Sequence, residues 1–487
     1  MGEVDLKSMQ FPTQSSSLPA RPVHDAAWHA KLLAIVGPAG VAVGDAIPAQ
    51  ACHDWSGLPP VRPGLRVSPA STSEVSAVMA ACHAAVVPVV PQGGLTGLAG
   101  GAVPLADGVA LSLRRMNRSI DIDPLASVLT ADAGVSLQQA QEAAEAAGLQ
   151  VGLDLGARGS CQLGGTVATN AGGNGVVQFG MMREQVLGLE VVLADGRVLD
   201  MLRPMVKNNT GYDLKQWFIG SEGTLGVITR VQLRLHPRPR ARATALVALA
   251  SFEAAMQLLA RLRADFPGAL AAFELMWRDF MTWATQARGL PAPFTDAVPY
   301  AALVDVTGPE ASLLQAQLEQ TLSVALDSGG ALDAVLAQSR AQAAQLWHLR
   351  ESSAEIPVQM RPVNFDVSVP LAVMGAFADE CVRVLEARWP GQRCVRFGHL
   401  GDGNLHLSVD LDSLPSSAAV EPDDVEGLIY DCVGRFGGSV SAEHGIGMHK
   451  KPYLGVSRSA DEIDAMRALK HALDPRGILN PGRLFDL

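Results

Sequence analysis

The chain has 487 residues, 48% hydrophobic and 18% charged, too many for one ordinary core, so two or three globular domains are expected. Its 49 acidic and 38 basic residues leave a net charge of −11, which argues against nucleic acid or an anionic membrane as the main partner. Six cysteines without a Cys-x-x-Cys pair argue against a disulfide framework and fit a reducing cytoplasm.

Residues 1–24 are rich in Ser, Pro and Gln. They lack the apolar core of a signal peptide and the arginine bias of a transit peptide, so residues 1–56 are expected to form a loose tail and lead-in. No run approaches the ~20 apolar residues of a membrane span. Cys52 precedes His53, and a buried small residue explains that cysteine better than a thiol nucleophile does. Ser71-Thr-Ser-Glu74 predicts a capping box opening a helix, with Val75, Val78, Met79 and Cys82 at helical spacing. A strand is expected over Val86–Val90, running into the glycine loop 91–101. A second α/β stretch covers 127–155, with a helix near Gln138–Ala147, and ends in the glycine-rich segment 156–175. Asp195-Gly196 between Leu189–Leu193 and Arg197–Leu199 predicts a β-hairpin. A third glycine loop, 220–226, precedes a strand over Val227–Leu235, and Pro237-Arg238-Pro239 closes a first domain spanning 57–237. Beyond it, amphipathic helices such as Phe252–Asp265 and Leu313–Asp327 alternate with strand-like runs at Ala301–Val306 and Val363–Val369. The expectation for 238–487 is an α+β domain with one antiparallel sheet.

Three glycine-rich loops in one domain exceed what turns require. Glycine lets backbone N–H groups approach a phosphate, and Ser160, Thr166, Thr169 and Asn170 add polar groups suited to an extended dinucleotide. No Gly-Lys pair occurs, which excludes a Walker A loop, and Gly93-Gly94 lacks the G-x-G-x-x-G spacing of a Rossmann fingerprint. The second half gathers chemistry into Arg396-Phe-Gly-His399-Leu-Gly-Asp-Gly-Asn-Leu-His406 and Ala442-Glu443-His444-Gly445. His399 and His406 are an odd number of residues apart, so in one unbroken strand they would face opposite ways. The turn signal Gly401-Asp402-Gly403 brings them back to one face. With Glu443 they form a two-His, one-carboxylate set suited to Zn²⁺, and the ligand types also admit Fe²⁺ or Mn²⁺. His444 beside them is a candidate base. Taken alone, the two histidines could equally pack a hairpin, or with Glu443 serve a zinc hydrolase.

The segments Pro91-Gln-Gly-Gly-Leu-Thr-Gly97, Gly164-Gly-Thr-Val-Ala-Thr-Asn-Ala-Gly-Gly173, Asn209-Thr-Gly-Tyr-Asp-Leu214 and Gly220-Ser-Glu-Gly-Thr-Leu-Gly226 resemble the vanillyl-alcohol-oxidase/p-cresol-methylhydroxylase superfamily of FAD proteins. Within it, Gly398–His406, Ala442–Gly447 and Asp474-Pro-Arg-Gly-Ile-Leu-Asn-Pro481 resemble the D-2-hydroxy acid dehydrogenase branch, which includes D-lactate, glycolate and D-2-hydroxyglutarate dehydrogenases. The resemblance implies a PCMH-type FAD-binding domain and a substrate- and metal-binding domain whose antiparallel sheet is flanked by helices. It further implies that the C-terminal segment returns to the flavin. FAD contacts are implied for Pro91, Gln92, Gly93, Gly94, Leu95, Thr96 and Gly97 of the first loop. The second loop supplies Gly159, Ser160, Gly164, Gly165, Thr166, Thr169, Asn170, Gly172 and Gly173. The third supplies Glu222, Gly223, Gly226 and Ile228, and Asn480 is implied beside the isoalloxazine ring. Leu95 stands where covalent members carry histidine, so the FAD is expected to be non-covalent.

The same resemblance implies zinc at His399, His406 and Glu443, His444 as catalytic base, and Arg350 as the grip on the substrate carboxylate. A helix-surface arginine is the plainer account of Arg350. Three positions depart from the dicarboxylate-preferring members: Ala354 where Thr is usual, Asn364 for Lys, and Ser408 for Asn. Arg361 is the expected replacement for the missing charge. Asn364 and Ser408 are then substrate-side residues, with D-2-hydroxyglutarate or D-lactate as substrate and D-malate or a larger apolar acid opened by the departures. Nothing suggests a nicotinamide site, so the expected electron acceptor is an electron-transfer flavoprotein, a quinone or a cytochrome. A homodimer is the family expectation. The rival functions are a metal-free flavin oxidase using O₂, the zinc hydrolase, and a non-catalytic flavin scaffold.

Overall fold

Ser71 opens a helix where the spacing predicts one. In the computed structural model, which describes residues 25–205, 207–414 and 420–487, the Ser71 hydroxyl accepts from Glu74 N and caps Thr72–Ala85. The expected tail over 1–24 lies outside the described residues. The Glu74 carboxylate accepts from Ala70 N rather than from the cap residue, so the box is displaced by one residue. Val86 ends the helix in the left-handed region, at φ 55°, and the next strand therefore begins at Val89 instead of Val86. Ser136 forms a complete capping box with Gln139 on Leu137–Ala146. Asp195-Gly196 joins the antiparallel strands Val186–Val192 and Val198–Asp200, with Gly196 at φ 91°.

The N-terminal half carries two sheets. The first runs in the order Val41–Ala42, Leu65–Val67, Val109–Ser112, Val89–Gln92, with the last three strands parallel. The second is antiparallel, built around the long strand Val227–Pro237, which pairs with Val128–Asp132, Val186–Val192 and Leu149–Val151. One apolar core joins both sheets and includes Ile478 and Leu479 from the chain's end. That end is tied in by Val89 N donating to Ile478 O at 2.8 Å and Asn480 N donating to Val89 O at 2.8 Å.

After Val227–Pro237 the chain crosses Arg238–Arg240 and enters a seven-stranded antiparallel sheet at Ala241–Leu249. The order is Ala331–Leu336, Ala241–Leu249, Tyr300–Gly308, Leu270–Trp277, Arg393–His399, Asn404–Asp410, Pro362–Ser368. Helices Phe252–Asp265, Ala311–Asp327, Met374–Arg388 and Pro422–Arg435 cover one face in a large core. Helices Arg278–Arg288 and Arg340–Arg350 cover part of the other.

Strand alternation sorts the last three strands. Val363, Phe365 and Val367, with Leu405, Leu407 and Val409, enter the large core. Their neighbours in sequence therefore share the opposite face, where Asp366 pairs with His406 and Asn364 with Ser408 across the strands. His406 in turn pairs with Phe397, and His399 with Glu274. This register lays a polar row across the sheet.

Candidate active site

The three glycine loops converge on one cavity. Gly94 must be glycine, because a Cβ there would fall 2.1 Å from Ser160 O, a backbone atom of the second loop. A Cβ on Gly165 would meet nothing within 4 Å, so that position opens onto the cavity. Gln92 and Gln162 line the same space, and the Oε1 of each is buried without a partner among the described residues. Two orphaned acceptors beside closely approaching glycine backbone suit a flat ligand with N–H edges and phosphates, and these residues fit FAD.

Of the residues implied for that cofactor, 91–97, Gly164, Gly165, Thr166, Thr169, Gly172, Glu222, Gly223, Gly226 and Ile228 line the cavity. Gly159, Ser160, Asn170, Gly173 and Asn480 do not. Ser160 is exposed, and its carbonyl oxygen occupies the space that a Cβ on Gly94 would need. Asn170 turns the chain at φ 49° and accepts from Arg183 N at 2.9 Å. Gly173 N donates to the Glu443 carboxylate at 2.8 Å. Asn480 Nδ2 donates to Gly101 O at 3.0 Å and Glu222 O at 2.7 Å, lacing two loops together. The Thr166 and Thr169 hydroxyls donate to Leu163 O and Gly165 O, so their protons are spent within the helix.

The hairpin turn works as its glycines predict. Gly403 sits at φ 87°, and Asp402 N and Gly403 N each donate to His399 O at 3.2 Å. The His399 and His406 rings meet at 5.4 Å. One donor atom each from His399, His406 and Glu443 lies within 4.8 Å of the others. Donors about 2.1 Å from one tetrahedral ion lie about 3.4 Å apart. Binding would close the set by at most about 1.4 Å, within reach of side-chain rotation, and the nitrogen, nitrogen, oxygen set fits a divalent cation. Asp366, His406 and His444 are equally close. The Asp366 carboxylate, however, already accepts from Asn404 Nδ2, Ser441 Oγ, Glu443 N, His444 N and Lys450 Nζ. It is a hub for the 441–450 segment rather than a free ligand.

His444 hangs from that hub. Its backbone N–H donates to Asp366 Oδ2 at 2.9 Å, its ring Nδ1 lies 3.8 Å from the same oxygen, and its side chain faces the flavin cavity beside Glu443. Burial lowers the His444 pKa further than Asp366 raises it. His406 is pushed well below the usual histidine value by burial and then by His399. His399 goes the other way, to about 9, because Glu274 outweighs the burial. Burial pushes the Asp366 carboxyl up, but His444, Lys450 and His406 outweigh it and hold it well below the carboxylate range.

Arg350 ends the helix Arg340–Arg350 and is buried, not a helix-surface arginine. Its Nε donates to Glu274 Oε2 at 2.8 Å, and its guanidinium lies 4.7 Å from the Phe397 ring centroid. Asn364 Oδ1 accepts from Ser408 Oγ at 2.6 Å, a neutral pair two residues along the strands from Asp366 and His406. Arg361 requires a correction. It lies beyond the start of Pro362–Ser368, in an exposed ion pair with Asp412 at 3.1 Å. Its parity matches Val363 and Phe365, which point to the opposite face, so it does not join the cluster.

Sequence reasoning missed Glu274, Asp366, Lys450 and Gln162. Two had a signal: Glu274 is a lone charge in the apolar strand Leu270–Trp277, and Asp366 interrupts Val363–Val367. Lys450 and Gln162 had none beyond lying near the motifs. The six cysteines are all buried and unbridged, as expected for structural thiols. Among the described residues no helix is long and apolar enough to cross a membrane.

Residues 238–484 match the family model for the C-terminal domain of FAD linked oxidases, and residues 63–202 match the FAD binding domain model. A D-2-hydroxyglutarate dehydrogenase of Xanthomonas citri pv. viticola is 42% identical, covering 89% of this chain and 92% of its own length. The mitochondrial D-2-hydroxyglutarate dehydrogenase of Bos taurus is 40% identical over 89% of this chain and 78% of its own. An alkyldihydroxyacetonephosphate synthase structure superposes with a TM-score of 0.72 at 17% identity, over 98% of this chain and 90% of that one, and shares the fold.

Proposed function

Because the chain belongs to the FAD-linked D-2-hydroxy acid dehydrogenases and is a flavin-dependent oxidoreductase, we propose that it oxidises a D-2-hydroxy acid to the 2-oxo acid at a centre where the flavin cavity meets the His399–His406–Glu443 cluster. One observation carries this reading. The adjacent residues Glu443 and His444 both line the flavin cavity, while Glu443 also completes the three-donor set. Oxidation of a hydroxy acid needs both facilities within one substrate's reach.

FAD held by the three glycine loops would supply a two-electron acceptor. A divalent cation held by His399, His406 and Glu443, Zn²⁺ by ligand type, would supply a Lewis acid for the hydroxy acid. Arg350 binds the substrate carboxylate through its fork, held over Phe397 and steadied at Nε by Glu274. His444 takes the hydroxyl proton, and the burial that lowers its pKa keeps the imidazole neutral and ready to accept. Asp366 keeps His444 aimed at the cavity by accepting from its backbone N–H, and Lys450 donates to the same Asp366 oxygen. The names of the relatives support D-2-hydroxyglutarate, whereas the neutral Asn364–Ser408 pair leaves room for D-lactate. An electron-transfer flavoprotein, quinone or cytochrome would be the electron acceptor.

The test is anaerobic flavin bleaching by paired D- and L-2-hydroxy acids. The D enantiomer of at least one acid is expected to bleach the flavin and its L enantiomer to leave it oxidised. Bleaching by neither series, or by both equally, would overturn the proposal.

A further inference from the structure

Glu274 sits inside Leu270–Trp277, a strand whose residues are all buried. A carboxylate there is costly unless both oxygens are engaged. They are, by different partners. Oε1 lies 2.7 Å from His399 Nδ1, and Oε2 accepts from Arg350 Nε at 2.8 Å. Glu274 and His399 are direct cross-strand neighbours, so the first contact is fixed by sheet register. The Arg350 guanidinium beside Oε2 supplies the countercharge that an ionised carboxylate needs in so buried a place.

An ionised carboxylate can only accept. His399 must therefore carry a proton on Nδ1, so Nε2 is the nitrogen whose proton a cation beside His406 and Glu443 would displace. Arg350 is gripped at Nε alone, which leaves both terminal nitrogens to a ligand; the contact of Nη1 with Ser353 Oγ is long, at 3.4 Å. We propose that Glu274 is the positioning residue that couples the cation cluster to the carboxylate grip, setting the tautomer of His399 with one oxygen and the direction of Arg350 with the other. The inference rests on the roles given to the cluster and to Arg350 above.

Glu274→Gln separates this account from simple neutralisation of a buried arginine. An amide has one accepting oxygen. If it serves Arg350, the NH₂ faces His399 Nδ1 and forces the proton onto Nε2, which removes the ligand. If it serves His399, the NH₂ opposes Arg350 Nε. Either way both sites cannot be served together.

The experiment measures Zn²⁺ affinity by chelator competition, and 2-oxo acid affinity by perturbation of the flavin spectrum, in the FAD-loaded protein. In Glu274→Leu, which removes both oxygens, both affinities are expected to fall, Zn²⁺ by roughly 10- to 100-fold as for other partners of ligating histidines, and in Glu274→Gln the affinity of the site that meets the NH₂ is expected to fall, with FAD content unchanged in each. Asp305→Asn is the control for fold damage. Asp305 is a buried carboxylate of the adjacent strand that bonds Thr244, Trp347 and Arg242 instead of the cluster, and its replacement should leave both affinities unchanged. Either affinity unchanged in Glu274→Leu, both unchanged in Glu274→Gln, or an equal fall in Asp305→Asn would overturn the coupling. If the wild type binds Zn²⁺ no better than His406→Ala, the cation-site reading itself fails, and the coupling fails with it.

Discussion

Asp366→Asn separates the charge of the site's hub from its hydrogen bonds. The carboxylate is fully buried and receives donors from Asn404, Ser441, Glu443, His444 and Lys450. An amide of the same shape keeps one oxygen for the N–H groups of Glu443 and His444. Its NH₂ then faces Asn404, whose Oδ1 is buried without a partner among the described residues and can rotate to accept. The hydrogen bonds survive largely intact, and what disappears is the negative charge opposite Lys450, whose side chain is 4% exposed. Removing one member of a buried ion pair costs roughly 3–5 kcal/mol. That cost falls on the 441–450 segment, so the Glu443 and His444 amides should open more easily. At about 1.36 kcal/mol per decade their hydrogen exchange should accelerate by roughly two to four orders of magnitude, read by mass spectrometry of the native protein. Adding Lys450→Met removes the stranded ammonium and should recover most of the protection. Exchange close to wild type in the single variant, or a double variant no better protected than the single, would refute the reasoning.

The His444 side chain is free to be removed, because its backbone N–H and not its imidazole is bonded to Asp366. His444→Ala should retain FAD and lose roughly 10²- to 10⁴-fold in anaerobic flavin reduction; a loss under about tenfold would remove it as the base. The sign of its pKa shift sets the pH profile. Since burial lowers His444 from 6.5, the neutral base persists as pH falls, and flavin reduction should decline only below 6.5. A midpoint above 6.5 in stopped-flow traces contradicts this. Gly94→Ala drives a methyl against Ser160 O and should weaken FAD by about 1–3 kcal/mol, roughly 5- to 150-fold in Kd by spectral titration. An unchanged Kd would mean that the two loops do not meet as described.

Local signals carried much of the fold. Ser71 and Ser136 cap helices where their spacing predicts, Asp195-Gly196 turns a hairpin, and Phe252–Asp265 is helical over the expected span. The cluster of His399 and His406 was legible because Gly401–Gly403 is a local turn. Glu443 closes it from another segment, and spacing alone could not have shown that; the motif resemblance brought it in. Long-range register was not legible. Glu274 meets His399 only because Leu270–Trp277 pairs with Arg393–His399 across 125 positions of chain. The same blindness produced the error at Arg361, which is near Asn364 in sequence but whose parity sends it to the other face of the strand. The flavin loops show a third limit. Gly173 and Asn480 belong to motifs of the cavity yet hold Glu443 and neighbouring loops, a division of labour that depends on where each N–H points.

The central claim is that the cation cluster and the flavin cavity act as one centre. Its most direct test is the anaerobic rate of flavin reduction by a D-2-hydroxy acid before chelation, after chelation, and after Zn²⁺ is restored. The stripped protein is expected to keep its FAD and lose bleaching, and Zn²⁺ to bring bleaching back. Full-rate bleaching by protein that keeps its FAD and has lost its metal would contradict the account.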